Sequence, residues 1–141
     1  MVNNRGISNI KNSTFKKLAQ QYPITLIILF GSSAQGKTKK DSDVDIGVYL
    51  KDRIGIKEEN NLIQDLVHLF KRDNIDTVIL NSASPVLLFE VIKKGRLLFG
   101  KRRNDFLQFK LMVMKRYWEY AKFHKYREMY LNMKEKKLGF V

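Results

Sequence analysis

Two carboxylates at the start of a short apolar segment are the residues in this chain best suited to chemistry. Asp43 and Asp45 open the segment 43–50, in which apolar residues alternate with polar or small ones. Side chains two positions apart in a strand point to the same face. Adjacent carboxylates repel each other, and Mg²⁺ typically binds one or two carboxylates together with substrate phosphates. The pair therefore predicts a Mg²⁺–nucleotide site, although Asp-x-Asp taken alone is also typical of turns and charged surfaces.

A glycine–serine turn precedes this pair by ten residues. Gly31 and Ser32 follow the apolar run 24–30, which predicts a buried strand. Glycine lets the backbone approach a ligand closely, serine supplies a hydroxyl donor, and a helical turn beginning at 33–34 would direct free N–H groups at an anion. An ordinary strand-ending turn is the alternative. Beside the carboxylates, the turn predicts a phosphate-binding site.

A third carboxylate begins the next predicted strand. Asp76 opens the segment 76–80, which is rich in β-branched residues. If that strand neighbours the strand of Asp43 and Asp45, the three carboxylates can form a cluster suited to two metal ions and an in-line nucleotidyl transfer. The alternative for Asp76 is a capping role in a turn.

The elements that must position these residues follow from hydrophobic periodicity and turn signals. Ser84 and Pro85 suit the N-cap and first position of a helix, and Gly95 suits its end. The order of the predicted helices and strands along the chain indicates an α+β fold with a small mixed β-sheet flanked by helices. The segments are helix 8–21, strand 24–30, loop 31–43, strand 44–50, helix 56–71, strand 76–80, helix 85–94, edge strand 97–99, and one long helix or a helix pair over 104–137.

Positive charge is concentrated at the C-terminal end. Residues 1–100 carry 15 Lys/Arg and 10 Asp/Glu, whereas residues 101–141 carry 12 and 4, and the whole chain has a net charge of +13. We expect a domain over 1–100 and a basic, aromatic helical extension over 101–141 packed on it. One stripe of that extension has helical spacing and predicts the packed face: Phe106, Phe109, Val113, Tyr117 and Tyr120. The remaining aromatics predict a contact surface for a protein, for a second copy, or for nucleic acid.

Several classes of site and location are disfavoured. The chain has no cysteine and two distant histidines, which excludes disulfides and argues against a zinc site. No apolar run is long enough to span a membrane, and the N-terminal residues do not resemble a secretory signal. These features predict a cytoplasmic protein without a membrane partner.

These motifs resemble the polymerase-beta-type nucleotidyltransferases. The resemblance rests on strand 24–30, on Gly31 and Ser32, and on Asp43, Asp45 and Asp76, and it extends over about residues 15–100. The short length is most similar to the minimal nucleotidyltransferases, in particular the MntA-like antitoxins of HEPN/MNT toxin–antitoxin pairs. The resemblance implies the nucleotidyltransferase fold, two Mg²⁺ ions, ATP as nucleotide donor and a HEPN-type toxin as partner.

The resemblance also implies a role for each matching residue. Gly31 and Ser32 would hold the triphosphate, Asp43 and Asp45 would bind both metal ions, and Asp76 would bind the catalytic metal and help activate the acceptor hydroxyl. Many relatives carry arginine where this chain has Gln35. We expect a lysine of the same loop to supply this positive charge, as a point charge without the fork geometry of arginine. The candidates are Lys37 and, beside it, Lys39 and Lys40.

Three functions follow from this interpretation. The first is transfer of AMP from ATP to a tyrosine of a HEPN-type toxin, which neutralises the toxin. The second is nucleotidyl transfer to a small molecule, against which the basic tail and the short chain argue. The third is a catalytically silent module that binds a toxin or nucleic acid, with a homo-oligomer as a further option.

Overall fold

The structure is a computed structural model that describes residues 10–31, 34 and 43–137. Along these ranges helices and strands follow one another in a single α+β arrangement, as the sequence predicts. They are α1 (Asn12–Gln21), β1 (Ile24–Phe30), β2 (Val44–Leu50), α2 (Ile56–Phe70), β3 (Ile75–Ile79), a 3₁₀ turn (Leu80–Ser82), α3 (Pro85–Lys94), β4 (Arg96–Gly100) and α4 (Asp105–Lys137).

The strands form one mixed sheet in the order β3-β2-β1-β4. β1 lies in the centre and pairs antiparallel with both β2 and β4, whereas β2 and β3 are parallel. The parallel pair needs a crossover, and α2 supplies it. The small mixed sheet and the edge position of β4 confirm two expectations from the sequence. The adjacency of β2 and β3 meets the condition under which Asp76 can join the other two carboxylates.

The predicted boundaries shift by a few residues where local geometry differs. The first helix begins at Asn12, after two non-helical residues, and the predicted start at Ser8 lies outside the described residues. α2 ends at Phe70 because Lys71 adopts a left-handed conformation with φ 52°. The third strand ends one residue early because Leu80 opens the 3₁₀ turn. The predicted long segment is a single helix, α4.

Each face of the sheet is covered by its own hydrophobic cluster. Val44, Ile46 and Val48 of β2 contribute to the cluster formed with α1 and α2. The opposite face of the sheet contributes Leu26 and Ile28 to a second cluster, formed with α3 and the first turns of α4. Because side chains alternate along β2, its polar and small residues lie on the second face. The carboxylate of Asp45 therefore shares a face with α3 and α4.

The 3₁₀ turn is fastened to β2 by one side chain. The Asn81 amide donates to the carbonyl of Leu50 at 2.7 Å and its oxygen accepts from the Leu50 amide at 2.9 Å. This places the Leu80 side chain directly over Gly47, where an added Cβ would lie 3.0–3.1 Å from three Leu80 carbons. A glycine at this buried strand position therefore permits the turn to pack closely on β2.

Only the first part of α4 packs on the domain, and the predicted packed stripe of this helix is wrong in its last residue, Tyr120. Phe109 and Val113 are buried, and the Tyr117 ring stacks on Phe89 with centroids 4.0 Å apart. Tyr120, predicted to belong to the packed stripe, is exposed, and no later residue up to 137 is buried. α3 and the sheet end before they can reach further along the helix. No described helix is long and apolar enough to cross a membrane.

We expect the substitution Thr77→Val to stabilise the protein. The hydroxyl of Thr77 is buried in β3 and has no hydrogen-bond partner among the described residues. Removing an unsatisfied buried hydroxyl while keeping the side-chain shape should raise the free energy of unfolding by about 1 kcal/mol, measured by chemical denaturation. Thr77→Ser is the control, because it keeps the hydroxyl and loses a methyl group. A Val variant less stable than the parent protein would contradict this explanation.

Candidate active site

The three predicted carboxylates converge at one end of the sheet. Asp43 immediately precedes β2, Asp45 is the second residue of β2, and the parallel register pairs Asp45 with Asp76 of β3. On its other side Asp45 pairs with Phe30, the last residue of β1, so that Gly31 lies next to the carboxylates. The sequence motifs therefore meet because β1, β2 and β3 are neighbours in this order.

The surroundings of Asp45 disfavour its charged form. Its pKa is raised above the usual range, first by burial and then by the negative charges of Asp76 and Asp43. Burial and like charges both disfavour the ionised form of a carboxyl group. Asp45 is half-buried, whereas Asp43 and Asp76 are exposed. The arrangement accumulates negative charge that a cation bound between the side chains would neutralise.

Gly31 is required at its position for a reason the sequence does not reveal. Its φ is +73°, a conformation that side-chain-bearing residues rarely adopt. A Cβ on Gly31 would also collide with the carboxylate oxygen Oδ2 of Asp45. Sequence reasoning assigned this glycine to close approach of a phosphate. The geometry adds that the glycine makes room for the carboxylate itself.

The donor set fits Mg²⁺ completed by a substrate. In the part of the chain that the structure describes, no group of three acidic or histidine side chains is placed to hold a metal ion by itself. Mg²⁺ does not need one, because it usually combines one or two carboxylates with water and substrate phosphates. Asp45 and Asp76 on paired positions, with Asp43 two residues away, offer oxygen ligands of that kind. Phosphate oxygens of the substrate would supply further ligands to the ion.

Part of the predicted phosphate site lies outside the described residues. Ser32, Gln35 and Lys37 belong to the segment between β1 and β2 that is not described, as do Lys39 and Lys40. Their predicted roles in nucleotide binding stay predictions.

Sequence reasoning missed the residues that support the strand carrying Asp45. Leu80 packs over Gly47, two positions along β2 from Asp45, and Asn81 fastens the same 3₁₀ turn to Leu50 at the far end of the strand. The sequence does contain a signal for this packing, which is Gly47 itself. A glycine inside a strand often marks a place where another segment approaches closely. The identity of that segment depends on the tertiary structure.

The family model described as "Polymerase beta, Nucleotidyltransferase" matches residues 13–104. This match takes in the whole sheet, Gly31 and the three carboxylates. The chain belongs to the polymerase beta nucleotidyltransferase family.

This nucleotidyltransferase is similar to two curated relatives that carry the name "Protein adenylyltransferase MntA". The relative from Shewanella oneidensis is 37% identical over 96 residues, which cover 67% of this chain and 68% of the relative. The relative from Aphanizomenon flos-aquae is 27% identical over 117 residues, covering 77% of this chain and 78% of the relative.

Solved structures of related complexes have a similar fold. A chain from a toxin–antitoxin crystal structure with AMP-PNP superposes with a TM-score of 0.65 and 29% identity, covering 86% of this nucleotidyltransferase and 96% of that chain. A chain from a complex of tri-AMPylated S. oneidensis HEPN toxin with MNT antitoxin gives a TM-score of 0.60 and 26% identity, covering 89% and 96%. The predicted fold and family are thereby confirmed.

Proposed function

We propose that this nucleotidyltransferase is an antitoxin that transfers AMP from ATP to a tyrosine of a HEPN-type toxin and thereby inactivates the toxin. The observation that carries the proposal is the convergence of Asp43, Asp45 and Asp76 beside Gly31. The similarity to two adenylyltransferases, and to chains from toxin–antitoxin complexes, supports a protein as the acceptor. A cytoplasmic location, where the toxin and ATP would meet, is part of the proposal.

The proposed chemistry is an in-line displacement at the α-phosphorus of ATP. The tyrosine oxygen forms a bond to phosphorus, the bond from phosphorus to the bridging oxygen breaks, and pyrophosphate leaves. Asp43 and Asp45 would hold two Mg²⁺ ions, and Asp76 would hold one of them and draw the proton from the tyrosine hydroxyl. Bound Mg²⁺ supplies charge neutralisation of the phosphates. Gly31, Ser32 and Lys37 would bind the triphosphate.

A direct labelling experiment tests this function. The purified chain, a HEPN-type toxin, Mg²⁺ and ATP labelled at the α-phosphate are incubated together, and the toxin is analysed by mass spectrometry and for retained label. We expect label on a toxin tyrosine together with loss of toxin activity. ATP labelled at the γ-phosphate is the control and should leave the toxin unlabelled. Neutralisation of the toxin without any transferred label would contradict the enzymatic proposal.

The exposed part of α4 is proposed as the surface that docks the toxin. Residues 118–137 extend about 30 Å along the helix axis without a buried side chain. Phe123 and Tyr130 lie on one side of this segment and are 65% and 59% exposed. The segment carries six Lys/Arg and three Glu, so like charges oppose self-association and favour an acidic partner. Large aromatics are the residues that most often dominate protein interfaces.

We expect the double substitution Phe123→Ala/Tyr130→Ala to weaken toxin binding at least about tenfold. Because both side chains are exposed, the melting temperature should stay unchanged, and label transfer should recover when the toxin concentration is raised. Leu107→Ala/Leu111→Ala, which removes two exposed apolar side chains near the start of the same helix, is the matched control. Binding is measured by titration calorimetry.

Two outcomes would contradict this docking assignment. Unchanged toxin affinity in the Phe123/Tyr130 variant would place the toxin elsewhere. Steeply salt-dependent oligonucleotide binding, or concentration-dependent dimerisation lost in the same variant, would assign the surface to nucleic acid or to a second copy instead.

A further inference from the structure

A second cleft lies on the same face of the sheet as the carboxylates but at its opposite end. Its volume is about 400 Å³, within the usual range for small-molecule sites. Tyr49, at the far end of β2, is four residues from Asp45, or about 13 Å along the strand. The residues that line the cleft come from β1, β2, the β4–α4 connection and the first turns of α4: Thr25, Tyr49, Lys51, Lys101, Arg102, Asp105, Gln108, Phe109 and Met112.

Three cations from two separate segments converge on this cleft. Lys51 follows β2, and Lys101 and Arg102 follow β4. None of the three makes an ion pair with another residue within 10–31, 34 and 43–137. Asp105 is the single carboxylate in the lining, and its Oδ2 already accepts a hydrogen bond from the Arg102 backbone amide at 3.0 Å. The cleft therefore has an excess of two positive charges, and a concave surface strengthens the attraction of an anion.

The floor of the cleft is formed by aromatic and thioether groups in close contact. The rings of Tyr49 and Phe109 lie 4.8 Å apart, and the Tyr49 hydroxyl contacts the sulfur of Met112 at 3.8 Å. Phe109 is only 3% exposed. A cationic rim above an aromatic floor differs from a plain basic surface, because it can contact the charged and the organic part of one ligand at the same time.

We propose that this cleft binds the phosphate monoester of a small organic molecule, of which a nucleoside monophosphate is an example. Arg102 can form paired hydrogen bonds with phosphate oxygens, and Lys51 and Lys101 add charge-assisted bonds. Gln108 and the Thr25 hydroxyl offer further polar groups, while the organic part lies on Tyr49 and Met112. The site is separate from the transferase site and uses none of its carboxylates.

The test measures AMP binding with the transferase site disabled. AMP is titrated calorimetrically, in EDTA, into the full chain carrying Asp43→Asn/Asp45→Asn, so that metal-dependent binding is removed. We expect AMP to bind at millimolar concentration or below, and Lys101→Ala/Arg102→Ala in this background to weaken the affinity at least about tenfold. The control is Lys122→Ala/Arg127→Ala, which removes the same charges from the exposed part of α4 and should leave the affinity unchanged.

Several results of these titrations would overturn the proposed phosphate-monoester site. Absence of AMP binding at millimolar concentration, or an equal loss in the Lys122/Arg127 control, would overturn the proposal. Inorganic phosphate should bind more weakly than AMP, and equal affinity would overturn the assignment of an organic part. A single-stranded oligonucleotide that binds more tightly than AMP, and loses affinity in the Lys101/Arg102 variant, would assign the cleft to nucleic acid instead. The melting temperature of each variant shows whether it is folded.

Discussion

Asp45→Asn is expected to lower nucleotidyl transfer to the toxin by about a thousandfold, because several kcal/mol of transition-state stabilisation depend on metal ions at this position. Asn keeps the size of the side chain and removes the negative charge that a metal ion requires. The rate is measured as label moving from the α-phosphate of ATP to the toxin. Asp52→Asn is the matched control, since Asp52 is exposed just beyond the other end of β2 and should keep full activity.

The same variant should be more stable than the parent protein in the absence of metal. The pKa of Asp45 is raised in the folded state, by burial and then by Asp76 and Asp43, so the folded protein holds this proton more tightly than the unfolded chain does. The ionised carboxylate therefore destabilises the fold at neutral pH, and the cost disappears as the pH falls below the usual carboxyl range. In EDTA the Asn variant should melt at a higher temperature at pH 7 and lose this advantage in acid.

Two results would contradict this account of Asp45. One is transfer activity equal to that of the Asp52→Asn control. The other is a lower melting temperature of the Asn variant in EDTA at neutral pH, which would mean that the carboxylate stabilises the fold. The two expected effects have opposite signs, as is common where charge is accumulated for a ligand.

Gly31→Ala is expected to reduce transfer by about a hundredfold and to destabilise the protein. The left-handed backbone at φ +73° costs a non-glycine residue about 1–2 kcal/mol. The new Cβ also meets the Asp45 carboxylate and must displace it. A displacement of about 1 Å at a catalytic group can cost a factor of about a hundred in rate. Chemical denaturation and the label-transfer assay measure the two effects separately.

A double-mutant cycle separates backbone strain from the collision with Asp45. In an Asp45→Ala background the colliding oxygen is absent, so Gly31→Ala should lose less stability there than in the parent protein. Gly100→Ala is the control, because its Cβ would meet its neighbours at 3.5 Å or more, an ordinary contact distance. Equal stability losses in the two backgrounds would mean that the carboxylate does not limit this position.

Periodicity and turn chemistry were enough to predict the local structure. The apolar run 24–30 and the alternation over 44–50 are β1 and β2, and Ser84 caps α3 by accepting from the Leu87 amide at 3.2 Å. These signals are local, since a strand alternates every two residues and an N-cap needs one side-chain oxygen. The spacing of Gly31, Asp43 and Asp45 is also a local signal, because it places a turn and two carboxylates on consecutive segments. This spacing was therefore enough to point to the family.

Only the tertiary structure decided what these elements do together. The strand order sets Asp76 beside Asp45 across the parallel β2–β3 pair, which the crossover helix α2 connects. Gly31 proved to make room for a carboxylate across the β1–β2 pair, which no local pattern reveals. The aromatic stripe of α4 predicted packing through Tyr120, but the domain ends at Tyr117. Helical periodicity shows which face is apolar, whereas the extent of its burial depends on how far the neighbouring elements reach.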